Sequence, residues 1–344
     1  MGGRLSRRDF IKVSMAAAGT AFVGGSLVGP FVGKAFSAKE EIKVGYLKAT
    51  HHAQLFNALE QGYFKEEGLQ VKPVLFSGSG EIGSGIVTGA LQVAYIGSSP
   101  SIGMVTRDVP MNIVSGSAME SSGIVVPANR PSTIKSVKDL RGKKIGTIRA
   151  ATADIVVRYK MLEAGIDPFK DATVRNFTHI QDILTGLEKG DLDCAILWEP
   201  WATHSEALKY AKIAFLSKDI WPKHVCCRMA YNTDWAGKNQ DAAVKFMKCH
   251  IRAYMHIAKN FDDNVKANAK WCGIDESEIA KVFREKRQRL TLDIDPAGSK
   301  KFAEATKALG IIEKSEFVKD GLNDKYQKLA LKELGLKSLP DLGL

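Results

Sequence analysis

Residues 41–102 constrain this chain most, because strand and helix signals alternate through them without a break. Glu41-Ile42-Lys43-Val44-Gly45-Tyr46-Leu47 alternates and predicts a first strand. Leu55, Phe56 and Leu59 then fall at helical spacing, stopped by Gly62. Residues 70–76 predict a second strand, and Ile82, Ile86 and Val87 mark a weak helix. Val93-Ala94-Tyr95-Ile96 is a short apolar run bounded by turn residues, which reads as a buried strand. A βαβαβ order implies a parallel sheet whose loops gather at the carboxyl ends of its strands. The loops at 48–52, 77–80 and 97–100 are rich in Gly, Ser, Thr and His, and they should converge on one crevice.

The third of these loops, Gly97-Ser98-Ser99-Pro100, runs into a short helical pattern. Serine before proline suits a helix start, since Ser caps free N–H groups and Pro tolerates the first turn. Free N–H groups beside the hydroxyls of Ser98 and Ser99 also make a seat for an anion. Capping and ligand contact are both open readings of Ser99.

The first 38 residues stand apart from the fold. Ser6-Arg7-Arg8-Asp9-Phe10-Ile11-Lys12 is followed by an uncharged run over 13–33, then Lys34 and a small-residue stretch. Basic head, apolar middle and small-residue end define an export signal. The twin arginines resemble the twin-arginine signal, whose pathway carries folded proteins, so the expected location is periplasmic or otherwise extracytoplasmic. The alternative is an uncleaved anchor. Removing the five basic and one acidic residues of 1–38 lowers the formal charge from +11 to +7. The lysines are spread along helical stretches, and no basic block with interleaved aromatics occurs, which argues against a nucleic-acid partner. A positive field favours anionic ligands instead. Five cysteines without C-x-x-C spacing indicate neither a disulfide framework nor a zinc site.

Tyr63-Phe64-Lys65-Glu66-Glu67-Gly68-Leu69, Gly89-Ala90-Leu91-Gln92-Val93-Ala94 and Gly97-Ser98-Ser99-Pro100-Ser101-Ile102 follow one another in this order. Together with Asp139-Leu140-Arg141-Gly142-Lys143-Lys144-Ile145-Gly146, they resemble the periplasmic solute-binding proteins of ABC importers. The subgroup is the one serving nitrate, sulfonate, taurine and thiamine-precursor uptake. The resemblance implies an α/β architecture of two lobes, each a mixed five-stranded sheet flanked by helices. Two crossover strands would join the lobes and hinge them over a ligand. Lobe 1 is expected over 39–122 and 231–344, and lobe 2 over 123–230 with the crossovers near 123–126 and 224–231. The partners implied are a small anionic or zwitterionic ligand and a membrane permease, with the protein a monomer.

In the second lobe, the strand at 145–148 leads to Ala151-Thr152-Ala153, which opens a helix striped by Ile155, Val156, Tyr159 and Leu162. Thr152 repeats the strand–turn–helix arrangement of the first lobe and faces the ligand from the opposite wall, or else caps its helix. The strand at 193–197 ends at Trp198-Glu199-Pro200-Trp201, where Pro200 turns the chain away. Trp198 offers a broad wall with one N–H donor, and Glu199 a partner for a ligand amine. Core packing for Trp198 and solvation for Glu199 are the plain alternatives. From Asp241 the chain reads as helices, near 262–271, 276–287, 298–309 and 324–334, that should pack on lobe 1.

Catalytic motifs are scarce: G-x-S-x-G, Walker and H-E-x-x-H patterns are absent from the sequence. His51 and His52 are adjacent, so in a strand they would point to opposite faces and not share an ion. Cys226-Cys227 matches only part of the CCCFC run in the family's eukaryotic pyrimidine synthase, and Arg228-Met229-Ala230 depart from it. The synthase's consumed histidine has no counterpart in Gly97-Ser98-Ser99-Pro100. The pair is expected as hinge packing with one sulfur facing the cleft and one the core, or as a strained vicinal disulfide. The expected ligand-binding set is Thr50, His51, Ser77, Gly78, Ser98, Ser99, Thr152, Trp198, Glu199 and Cys226, with no catalytic group, metal or cofactor. The function expected is capture of a small sulfonate, taurine or an alkanesulfonate, with nitrate and bicarbonate open. A thiamine-precursor pyrimidine binder or synthase-like enzyme is the alternative.

Overall fold

The computed structural model describes residues 41–149 and 151–344; the expected export signal lies outside them. Its strands are β1 (Ile42–Tyr46), β2 (Val71–Leu75), β3 (Val93–Gly97), β4 (Met111–Glu120), β5 (Ser122–Pro127), β6 (Lys144–Ile148), β7 (Thr173–Phe177), β8 (Cys194–Trp198), β9 (Ala211–Leu216), β10 (Val225–Asn232) and β11 (Gln288–Leu290). They form two sheets, ordered β11-β4-β10-β3-β1-β2 and β7-β6-β8-β5-β9. β1 runs parallel to β2 and β3, and β10 antiparallel to β3 and β4. β6 runs parallel to β7 and β8, while β5 is antiparallel to β8 and β9. Both sheets are therefore mixed, as expected. The second has five strands, and the first gains a sixth because Gln288–Leu290 pairs along the end of β4.

The crossovers differ from expectation. The chain leaves the first sheet at Glu120 and Ser121, which both take left-handed backbone conformations (φ 61° and 80°), and β5 lies wholly in the second sheet. Non-glycine residues reach that region at a cost of about 1–3 kcal/mol each. The return is complete before Val225, because β10 pairs along its length with β3 and β4. The 224–231 stretch is thus a central strand of the first sheet, and residues 225–230 do not belong with lobe 2. The two crossings lie side by side, tied by the Glu120 N–H donating to the His224 carbonyl at 3.0 Å.

Apolar faces explain the layering. Helix Gln240–Lys259 buries Val244, Met247, Ile251 and Tyr254 with Phe56 of helix Ala53–Glu60 against one face of the first sheet. On the other face Ile82, Ile96, Ile102 and Phe302 share a cluster with Ile155 and Val156 from lobe 2. Apolar contact therefore runs from one lobe into the other. Among the described residues, no helix is long and apolar enough to cross a membrane.

Candidate functional site

The carboxyl ends of β1, β3, β6 and β8 meet between the lobes. There they enclose a cavity of about 120 Å³, with β10 contributing one wall. Its lining is mostly apolar: Leu47, Ala49, Pro100, Ile148 and Trp198 take part. Arg149 is the one residue with a permanently charged side chain among the described lining residues. A wider recess of about 350 Å³ borders it, sharing Leu47 and Trp198 and bounded also by Ser77, His179 and Trp201.

Of the ten residues expected to bind ligand, the structure places His51, Gly78, Thr152, Trp198 and Cys226 in the cavity wall, and Ser77 in the outer recess. The other four lie behind the wall. Thr50 gives its hydroxyl hydrogen to Gln288 Oε1 at 2.6 Å and is fully buried. Ser98 and Ser99 open helix Ser98–Val105, yet neither caps it with its side chain: Gly97 occupies the cap position. Instead the Ser99 N–H donates to Thr152 Oγ1 at 3.3 Å, and Thr152 Oγ1 donates to the Cys226 carbonyl at 3.2 Å. Thr152 begins helix Thr152–Glu163 of lobe 2, so its hydroxyl bridges the lobes where an anion seat was expected.

Glu199 is fully buried, with Oε2 accepting from the Thr203 N–H and hydroxyl at 3.2 and 2.8 Å. Burial pushes its carboxyl above the usual range, against the pull of Thr203 and of Arg287, whose Nη1 lies 3.8 Å from Oε1. Its side chain is a packing element of the inter-lobe boundary and is not presented to the cavity.

The Nε1 of Trp198 and the hydroxyl of Ser122 are buried without a protein partner, and both residues line the cavity. A buried polar atom without a partner costs about 1–3 kcal/mol, so each favours a ligand or water that completes it. Ser79 also lines the cavity and receives the Gly97 N–H at 3.1 Å.

His51 Nε2 donates to the Ser121 carbonyl at 3.1 Å, at the strained crossover. Its other nitrogen, Nδ1, lies 3.2 Å from Cys227 Sγ and 3.6 Å from Cys226 Sγ. Both cysteines are free and buried; they line the cavity and also pack in the core cluster of the first sheet, with both sulfurs beside one imidazole. The pairing of β10 with β4 shifts register on both sides of Cys227, and such a bulge breaks the alternation of side chains. A hydrogen bond with Cys227, together with burial, pushes the Cys226 thiol well above its ordinary pKa. His52 turns away: its Nδ1 accepts the Leu47 N–H at 3.2 Å, and burial lowers its pKa well below the usual value.

Sequence reasoning missed Ser79, Ser122, Arg149 and Cys227 in this wall. Ser79 and Arg149 follow strand ends, which was a usable signal; Ser122 and Cys227 depend on the crossover and the bulge.

Residues 36–273 match the NMT1-like family. The chain belongs to that family. The nitrate import ATP-binding protein NrtC of Synechocystis is 24% identical over 62% of this chain, but the match spans only 34% of that protein, about a third of its length. The taurine-binding periplasmic protein of Escherichia coli is 24% identical over 71% of this chain and 77% of its own. The solved nitrate-binding protein NrtA from Synechocystis superposes with a TM-score of 0.74 at 17% identity, covering 86% of this chain and 89% of that one. The fold is that of the two-lobed periplasmic binding proteins.

Proposed function

We propose that the chain is the exported solute-binding component of an ABC importer, capturing a small organic anion by closing its lobes and handing it to a permease. The observation that carries this reading is the inter-lobe cavity itself. It is small, largely apolar, edged by one cation and lined by Trp198 and Ser122, whose Nε1 and hydroxyl have no protein partner. A cavity of about 150 Å³ holds benzene, so about 120 Å³ suits a solute of roughly five or six heavy atoms. Apolar walls favour a short alkyl body over a bare inorganic anion, and Arg149 favours a negative head. With Glu199 behind the wall, a short alkanesulfonate fits better than a zwitterion such as taurine. Relatives named for taurine and nitrate agree with the anionic class.

Thermal unfolding with ethanesulfonate, taurine, nitrate and bicarbonate tests the reading. Ethanesulfonate at a hundred times its Kd adds about 2.7 kcal/mol and raises the midpoint most. If no anion moves the midpoint, the anion reading fails; if taurine outranks ethanesulfonate, the argument from Glu199 fails.

A further inference from the structure

We propose that His51, Cys226 and Cys227 form a Zn²⁺ site in the cleft wall, with a fourth coordination position facing the cavity. This goes beyond the transport reading and does not rest on it.

Spacing is the first support. Tetrahedral zinc holds nitrogen at about 2.0–2.1 Å and sulfur at about 2.3 Å, which sets N and S about 3.5 Å apart. His51 Nδ1 lies 3.2 Å from one sulfur and 3.6 Å from the other, and the three donor atoms all lie within 4.8 Å of one another. Orientation is the second. A metal-binding imidazole usually gives its remote N–H to a carbonyl or carboxylate, which fixes its tautomer. His51 Nε2 donates to the Ser121 carbonyl at 3.1 Å, so the Nδ1 lone pair is left pointing at the two sulfurs. The carbonyl is itself held by the left-handed backbone of Ser121.

The third support is the bulge in β10, which turns two consecutive thiols to one face where a regular strand would separate them. Charge is consistent as well: two thiolates balance a dication, so the buried centre carries no net charge. As each sulfur–zinc bond forms, its S–H proton passes to water at the cleft; no electrons move. His51, Cys226 and Cys227 are all lining residues of the cavity, which leaves room for water or a bound anion as fourth ligand.

The test is titration of the chelator-stripped, reduced full-length protein with Co²⁺, followed by Zn²⁺. One equivalent of Co²⁺ is expected to produce a thiolate-to-cobalt charge-transfer band that one equivalent of Zn²⁺ removes. Cys226→Ser and Cys227→Ser each lose most of the band, whereas Cys249→Ser keeps it. Protection of the native cysteines supplies a readout that needs no variant to fold. Stoichiometric Zn²⁺ should slow iodoacetamide labelling of Cys226 and Cys227 at least tenfold, reversibly with chelator, without slowing Cys194. Absence of saturable Co²⁺ binding, survival of the band in the Cys226→Ser/Cys227→Ser variant, or labelling indifferent to Zn²⁺ would overturn the site. None of these readouts involves an anion, so a failed anion screen leaves them unaffected.

Discussion

Thr152→Val removes the hydroxyl that ties the lobes together while nearly preserving volume. Two hydrogen bonds go with it, from the Ser99 N–H at 3.3 Å and to the Cys226 carbonyl at 3.2 Å. At about 0.5–1.5 kcal/mol net for each, the closed form loses about 2 kcal/mol, and the opening equilibrium shifts about 30-fold. Cys226 and Cys227 are 2% and 4% exposed, so a small alkylating reagent reaches them only when the cleft opens. In metal-free buffer, mass spectrometry should show iodoacetamide labelling of these two sulfurs rising about 30-fold, with Thr152→Ser restoring most of the protection. Opening without unfolding exposes little new surface, so these rates should be nearly independent of low urea. Labelling of Cys194 and Cys249, which sit in the lobe cores, should instead climb steeply with urea. Two results refute the latch: unchanged labelling in Thr152→Val, or labelling at Cys226 and Cys227 that follows the core cysteines across the urea series.

Three further outcomes test the fold around the site. His250 is fully buried between Tyr95 and the Gly116 carbonyl, and burial lowers its pKa from 6.5 to about 4. Its contribution to stability is therefore complete above pH 6.5 and is lost as pH falls toward 4. That loss is about 3 kcal/mol, so unfolding free energies from urea titrations at pH 7 and 4 should differ by that much less in His250→Gln; an equal drop refutes the assignment. Glu199 has the opposite sign: its pKa is raised, so its contribution is complete below 4.5 and lost as pH rises through the folded value. Glu199→Gln should thus gain on the wild type from pH 4 to pH 7, and a constant difference between the two curves would contradict this. At Gly116 an added Cβ would press deep into the carbonyl oxygen of Asp293, a backbone atom that cannot swing aside. Gly116→Ala should cost about 2 kcal/mol or more in thermal unfolding, and an unchanged midpoint would show that the β4 contact is looser than described.

Most of the fold was legible because its strands are short, apolar and bounded by turn residues: β1, β2, β3, β6 and β8 all fall within a residue or two of their sequence signals. β4 was not, and its centre shows why. Ser115-Gly116-Ser117 interrupts the apolar run, but the polar atoms are satisfied from outside the strand. Ser115 Oγ donates to the Leu292 carbonyl at 3.0 Å and faces His250, while Ser117 Oγ donates to the His51 carbonyl. A window of neighbouring residues carries no trace of partners 66 to 177 positions away. The same reason separates the legible half of the site from the rest. Strand ends announced His51, Gly78, Thr152 and Trp198, because loops at carboxyl ends must converge in a parallel sheet. Which atoms those loops present depends on pairing. Glu199 follows Trp198 at a strand end, yet Thr203 and Arg287 hold its carboxylate behind the wall, and the nearest sulfurs reach His51 only through a shift in register. Period-two alternation predicted one thiol on each face of β10. The bulge puts both beside one imidazole, and that single displaced residue changes the chemistry the cleft can support.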